Sequence, residues 1–205
     1  MENMNFLTGK RLIIFDCDGV LIDANEANIN YFNECLRRGG YPPLAEELHE
    51  KVVYLSTKQL MFELFPDPAE AERLHRISQE TDYTPFLDDV RPLFDYARVL
   101  GALRKRFSLA IATNRGRSLG RLIGHFHLDE WFEYRVSVVE AEPKPHPGML
   151  LKCIEHFNVL KNEAIYLGDS ATDREAAVNA GIDYLQVGGN GRPVIRSVEE
   201  LADLP

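Results

Sequence analysis

The sequence predicts an α/β fold: a Rossmann-like three-layer core built on an open parallel sheet, with a small all-helical domain inserted after the first strand. Three observations predict it. Short apolar runs without strict alternation recur along the chain, the pattern of strands covered on both faces. Segments of helical spacing separate most of them. Directly after the first run a long stretch of helix-like pattern interrupts that rhythm.

The runs are Arg11–Phe15, Ser108–Thr113, Tyr134–Val139, Ala164–Gly168 and Tyr184–Val187. Helical spacing occupies Val90–Arg106 before the second, then Gly116–His127, Pro147–Phe157 and Ala171–Ala180. Between Phe15 and Val90 lie about seventy residues without a convincing strand. They carry helix-like patterns at Glu26–Arg38, Ala45–Leu55, Thr57–Leu64 and Ala69–Thr81, punctuated by Gly39-Gly40, Pro42-Pro43 and Pro66-Asp67-Pro68. A structureless loop of that length is foreign to a compact domain. A helical insertion is the better reading, with hinges at Ile22–Asn25 and Tyr83–Asp89; helices packed permanently on the sheet are the competing arrangement. The expected division is residues 1–22 and 86–205 for the core and 23–85 for the helical insertion.

Bulk properties narrow the function. The 205 residues are 45% hydrophobic and 27% charged, ordinary values for a soluble globular chain. A net charge of -9 argues against general affinity for nucleic acid or for anionic membranes, although it permits a small basic pocket. Cys17, Cys35 and Cys153 are too few and too scattered for a disulfide framework and read as buried thiols. With no leader-like stretch in Met1–Lys10 and no apolar run long enough for a bilayer, a cytoplasmic location is expected. A monomer and a homodimer are both open.

The polar residues that interrupt the apolar runs fall at equivalent places. Asp16 and Asp18 follow the first strand, Thr113 and Asn114 end the second, Lys144 follows the third, and Asp169 follows the fourth. In an open parallel sheet the carboxyl ends of the strands share one edge, where ligands bind. Carboxylates gathered there repel one another. A hard cation resolves the repulsion, and Mg²⁺ takes one or two carboxylates together with phosphate oxygens and water.

These residues carry a resemblance. Phe15-Asp16-Cys17-Asp18-Gly19-Val20-Leu21 resembles the first motif of the haloacid dehalogenase superfamily, DxDGxL. Thr113-Asn114 is similar to the second motif, Lys144-Pro145 to the third, and Gly168-Asp169-Ser170-Ala171-Thr172-Asp173 to the fourth, GDxxxD. Each is weak alone; together, in order and each after a strand, they make a specific match over nearly the whole chain.

The resemblance implies a Mg²⁺-dependent phosphatase acting on a small phosphorylated metabolite, as in the phosphoglycolate phosphatase group. Asp16 is then the nucleophile that forms an aspartyl phosphate. Asp18 protonates the leaving oxygen and later activates water. Thr113 and the Asn114 backbone N–H hold phosphoryl oxygens, and Lys144 neutralises charge on Asp16 and the transferring group. Asp16, Asp169 and the Asp18 backbone carbonyl are the implied metal ligands. Gly19 permits a sharp turn beside the phosphate. Asp173, four residues after Asp169, either binds the ion itself, orients its water ligands or pairs with Lys144. Ser170 also suits a helix N-cap.

The helical insertion resembles the family's cap, whose side chains choose the substrate; Asp23, Asn25, Tyr31, Ser56, Thr57, Lys58 and Gln59 are its polar candidates. Relatives usually have Asp-Ser after the first motif, where this chain has Asp23-Ala24. That departure weakens transfer of a substrate from any one relative. A phosphomutase similar to β-phosphoglucomutase uses the same motifs and is the main alternative. A dehalogenase would lack the second Asp of the first motif, and a phosphonatase needs a cap lysine, for which Lys51 and Lys58 are the candidates. Outside enzymes, receiver domains also gather Asp, Thr and Lys around magnesium, but without a cap or DxDGxL. The scattered histidines, including His146 beside Lys144, read as surface or core residues. Arg115 and Arg117, following Thr113-Asn114, could reach a substrate anion but read first as a solvated loop, Trp131 and Phe132 read as packing, and Gly188-Gly189-Asn190-Gly191 as a surface loop.

Overall fold

The computed structural model describes residues 6–188 and 194–202. Six strands form one parallel sheet in the spatial order Tyr134–Ser137, Ser108–Thr113, Leu12–Phe15, Ala164–Gly168, Asp183–Val187 and Val194–Ile195. The Leu12–Phe15 strand lies in the middle, and every residue in it is buried. That explains its continuous apolar run, because both faces are covered. Leu12 and Ile14 point to one face. There they pack with Ala110, Ala112 and Tyr166 against the helices Gly148–Phe157 and Ala171–Ala180. Phe15, on the other face, meets Phe132 edge-to-face at 5.4 Å.

Phe15 is level with both Ile111 and Leu167. The carboxyl ends of the three central strands therefore fall in register. Asp16 continues the pattern, its N–H donating to the Leu167 carbonyl at 2.8 Å. Helix starts carry their own signals: Ser170 caps Ala171–Ala180 in a reciprocal capping box with Asp173. The same device, Ser56 with Gln59, opens Thr57–Leu64.

The chain divides into two compact units. One comprises Met1–Asp23, Pro92–Leu119 and Ile123–Pro205, and the other Ala24–Arg91 with Gly120–Leu122. The second contains the helices Asn25–Gly39, His49–Tyr54, Thr57–Leu64 and Pro68–Glu80. Its own core is Phe32, Cys35, Leu36, Leu44, Leu60, Met61 and Leu74. Cys17, Cys35 and Cys153 are buried thiols.

Several boundaries differ from the sequence reading. The helix expected over Val90–Arg106 spans only Tyr96–Leu103. Pro92 disfavours helix at Arg91, and Asp95 caps the true start by accepting from the Arg98 N–H at 3.0 Å. Tyr83–Asp89, expected as a hinge, includes the 3-10 helix Thr84–Asp89 within the helical unit, and the units divide at Arg91–Pro92. The Tyr134–Val139 strand ends at Ser137, whose N–H and hydroxyl turn to the Glu140 carboxylate. Val194–Ile195 and the short helix Glu199–Ala202 were not anticipated. The glycine-rich loop over 188–191 lies outside the described residues except for Gly188.

Candidate active site

Oxygens of Asp16, Asp169 and Asp173 all lie within 4.8 Å of one another at the carboxyl edge of the sheet. Three separate features bring them there. Asp16 follows the central strand, Asp169 follows the next one, and the capping box fixes Asp173 one turn into the helix after it.

Lys144 lies among them. Its ammonium is 2.9 Å from Asp16 Oδ1 and 2.5 Å from Asp173 Oδ1. The Asp16 contact is an ion pair without hydrogen-bond alignment, so the buried Oδ1 has no directed donor. Asp173 is different. Its Oδ1 accepts from Lys144 and Tyr166, and its Oδ2 accepts from the Ser170 N–H and hydroxyl. Both of its oxygens are therefore engaged, one of them by Lys144. The lysine's backbone is held as well: its N–H donates to Asn114 Oδ1 at 2.8 Å, and Asn114 Nδ2 returns a bond to its carbonyl at 3.3 Å.

Burial sets the electrostatics. It is the largest effect on Asp16 and raises the carboxyl well above its ordinary range, against the lowering influence of Lys144. Burial also raises Asp169 to about 6, with the Asp173 charge adding to the effect. Asp173 is pushed up by burial too, but the Lys144 charge and four directed bonds bring it below the usual carboxylate value. Burial opposes the charge on Lys144, and the two aspartates more than offset it, leaving its value raised.

These features fit a hard divalent cation. The donors are carboxylate oxygens, one of them a buried atom without a directed partner. The backbone approaches these carboxylates closely. A Cβ on Gly19 would come within 1.9 Å of Asp169 Oδ2, and the glycine sits at φ +74°.

Other expected residues fall less simply. Thr113 is buried, and its Oγ1 accepts from the Arg115 N–H at 3.2 Å, leaving the hydroxyl proton to donate. The Asp18 carboxylate stands apart from the three converging aspartates and pairs instead with Arg115. The expectation that Arg115 is solvated is thus wrong: it is buried, while Arg117 is exposed as expected. His146 Nδ1 accepts from the Gly148 N–H, so it shapes the turn after Lys144. Among the cap candidates, Ser56 and Gln59 serve the capping box, and the Tyr31 hydroxyl donates to the Ser78 carbonyl. Lys51 pairs with Glu63, and Lys58 lies over the Phe62 ring.

Sequence reasoning missed Tyr166 and Gln186. The Tyr166 hydroxyl accepts from Lys144 at 2.9 Å and lies within bonding distance of Asp173 Oδ1 and the Ala112 carbonyl. Gln186 donates to the Asp169 carbonyl at 2.5 Å. The available signal was the same for both: a polar group inside an apolar strand must find a partner.

An α/β core with acidic groups and a lysine at the carboxyl edge of its sheet defines a protein with a site for a cation and an anionic group. The particular family follows from comparison. The haloacid dehalogenase-like hydrolase family model matches residues 13–187, and the chain belongs to that family. It is 28% identical to the phosphoglycolate phosphatase of Xylella fastidiosa over 180 residues, which covers 84% of this chain and 77% of the relative. It is 26% identical to a pyrophosphatase of Bacillus cereus, covering 82% of this chain and 79% of that one. A haloacid dehalogenase superfamily hydrolase of subfamily IA from Geobacter sulfurreducens shares the fold, with a TM-score of 0.76, 29% identity and 96% coverage of both chains. The protein is thus an enzyme of the family's phosphatase kind. Among the described residues no helix is long and apolar enough to cross a membrane.

Proposed function

We propose that this enzyme hydrolyses a small phosphomonoester with Mg²⁺, passing the phosphoryl group through Asp16. The observation that carries the reading is the convergence of Asp16, Asp169 and Asp173 within 4.8 Å, with Lys144 beside them. Asp16 and Asp169, with the Asp18 carbonyl, would hold the ion; when bound, it neutralises phosphoryl oxygens and keeps Asp16 ionised.

The rest is the work of the chain's own residues. An Asp16 oxygen attacks phosphorus as the bond to the leaving oxygen breaks. That oxygen takes a proton from Asp18, giving a neutral alcohol, an aspartyl phosphate and an Asp18 carboxylate. Water then attacks the aspartyl phosphate and loses its proton to Asp18, which restores both side chains and releases phosphate. Lys144 balances charge on Asp16 throughout, and Thr113 with the Asn114 N–H binds phosphoryl oxygens. The helical unit is assigned to substrate choice. Phosphoglycolate and pyrophosphate, the substrates in the relatives' names, head the panel of small anions to test.

The test is phosphate release across that panel with magnesium, for the parent and for Asp16→Asn, with acid quenching to trap the phosphoenzyme. The parent should turn over repeatedly and trap covalent phosphate, and the variant should do neither. An active Asp16→Asn would overturn the covalent route. Isomerised sugar phosphate without free phosphate would make the enzyme a mutase.

A further inference from the structure

Arg115, which pairs with Asp18, belongs to none of the four motifs. The guanidinium grips the carboxylate with two parallel bonds, Nε to Oδ2 at 2.8 Å and Nη2 to Oδ1 at 2.7 Å. Such a fork fixes the plane of the carboxylate as well as its distance. The arginine is itself anchored. Its third nitrogen, Nη1, donates to Ser118 Oγ at 3.2 Å, and its backbone N–H donates to Thr113 Oγ1 at 3.2 Å. Its side chain is 6% exposed against 28% for Asp18, so the rigid partner is the arginine and the open one is the aspartate. All three guanidinium nitrogens are engaged within the protein, which leaves Arg115 poorly placed to receive a substrate anion directly.

We propose that Arg115 is a positioning residue that sets the orientation of the Asp18 carboxylate for proton transfer. The inference rests on the reading of Asp18 as the acid and base. Asp18 follows a two-residue step from the nucleophile into a tight turn, closed by the Gly19 N–H to the Ile22 carbonyl at 2.8 Å. Left alone, a short side chain on such a turn samples several rotamers. The fork removes that freedom, and it links the acid to the residue whose N–H fixes Thr113. One loop thereby sets both a proposed phosphoryl contact and the proton donor.

The experiment compares KM and the rate of phosphoenzyme formation in a single turnover of Arg115→Gln and Arg115→Lys on two substrates: an alkyl phosphate, whose leaving oxygen needs a proton, and 4-nitrophenyl phosphate, whose leaving group does not. Arg115→Gln should lose roughly tenfold or more in that rate on the alkyl ester, with KM little changed and a smaller loss on the aryl ester. Arg115→Lys keeps the charge without the fork and should recover only part of the loss. Equal losses on both esters, or a rise in KM alone, would overturn the assignment. Asp18→Asn, assayed beside them, separates two failures. If it keeps full turnover of the alkyl ester, the role given to Asp18 falls and the clamp falls with it. If it is inactive while both Arg115 variants match the parent, only the clamp falls. Should Arg115→Gln fail to fold, Arg115→Lys decides by the same ratio.

Discussion

Lys144 and Asp173 form an ion pair 2.5 Å long in which both side chains are buried, the lysine being 4% exposed and the aspartate 0%. A buried pair is weak grounds for net stability, but breaking one strands the other charge in a poorly hydrated place. Lys144→Met removes the partner of two buried carboxylates at once. It should lower the unfolding free energy by roughly 3–5 kcal/mol at neutral pH, measured by urea titration of the metal-free protein. The deficit should shrink in acid, where the carboxylates are protonated. A variant as stable as the parent at neutral pH would show that the pair contributes nothing.

Tyr166→Phe probes the same network more gently. The hydroxyl accepts from Lys144 and lies beside Asp173 and the Ala112 carbonyl, all of them buried. Its loss should reduce stability by about 1–3 kcal/mol, because the lysine keeps a proton without an acceptor. Phosphate release should slow while KM stays nearly constant, since the ring still packs and only the aim of Lys144 changes. An unchanged kcat would remove Tyr166 from the site.

The contrast between these two residues explains how much of the molecule was legible in its sequence. Asp16, Thr113, Lys144 and Asp169 could be placed because each ends or follows an apolar run, and strand ends on a parallel sheet share an edge. Tyr166 sits inside a run, where side-chain direction depends on register, and register becomes visible only once Ile14 is paired with Tyr166. Arg115 was misread for a related reason. Loop arginines are usually solvated, and only the folded turn after Asp16 brings a carboxylate across 97 residues of sequence to meet it. Apolar spacing over Val90–Arg106 runs past both ends of the Tyr96–Leu103 helix, because periodicity does not register the breaker at Pro92 or the cap at Asp95.

Gly19→Ala tests the cradle. The glycine adopts φ +74°, and an added Cβ would lie 1.9 Å from Asp169 Oδ2. Backbone strain alone accounts for about 1–2 kcal/mol; the larger consequence is displacement of Asp169. Phosphatase activity should fall by roughly a hundredfold or more, and the magnesium concentration for half-maximal activity should rise. Normal magnesium dependence would mean that the carboxylate moves aside without loss.

Magnesium and pH should act together on stability. In the metal-free protein burial, with Asp173 adding to it, raises Asp169 from an ordinary 3.8 to about 6, and burial raises Asp16 as well. A carboxyl raised in the folded state stabilises the fold fully below its unfolded value. That contribution is lost as the pH climbs through the folded value, because the ionised form is the one the fold disfavours. Without metal, the contribution from Asp169 should therefore decline between about 4 and about 6, and that from Asp16 should go on declining to about 8. A divalent ion binds the ionised carboxylates and releases their protons. The rise in melting temperature on adding magnesium should then be small below pH 6 and grow above it, with proton release detectable by calorimetry in buffers of different ionisation enthalpy. Asp169→Asn should flatten that dependence. A magnesium shift of equal size on both sides of pH 6 would show that these carboxylates do not hold the ion.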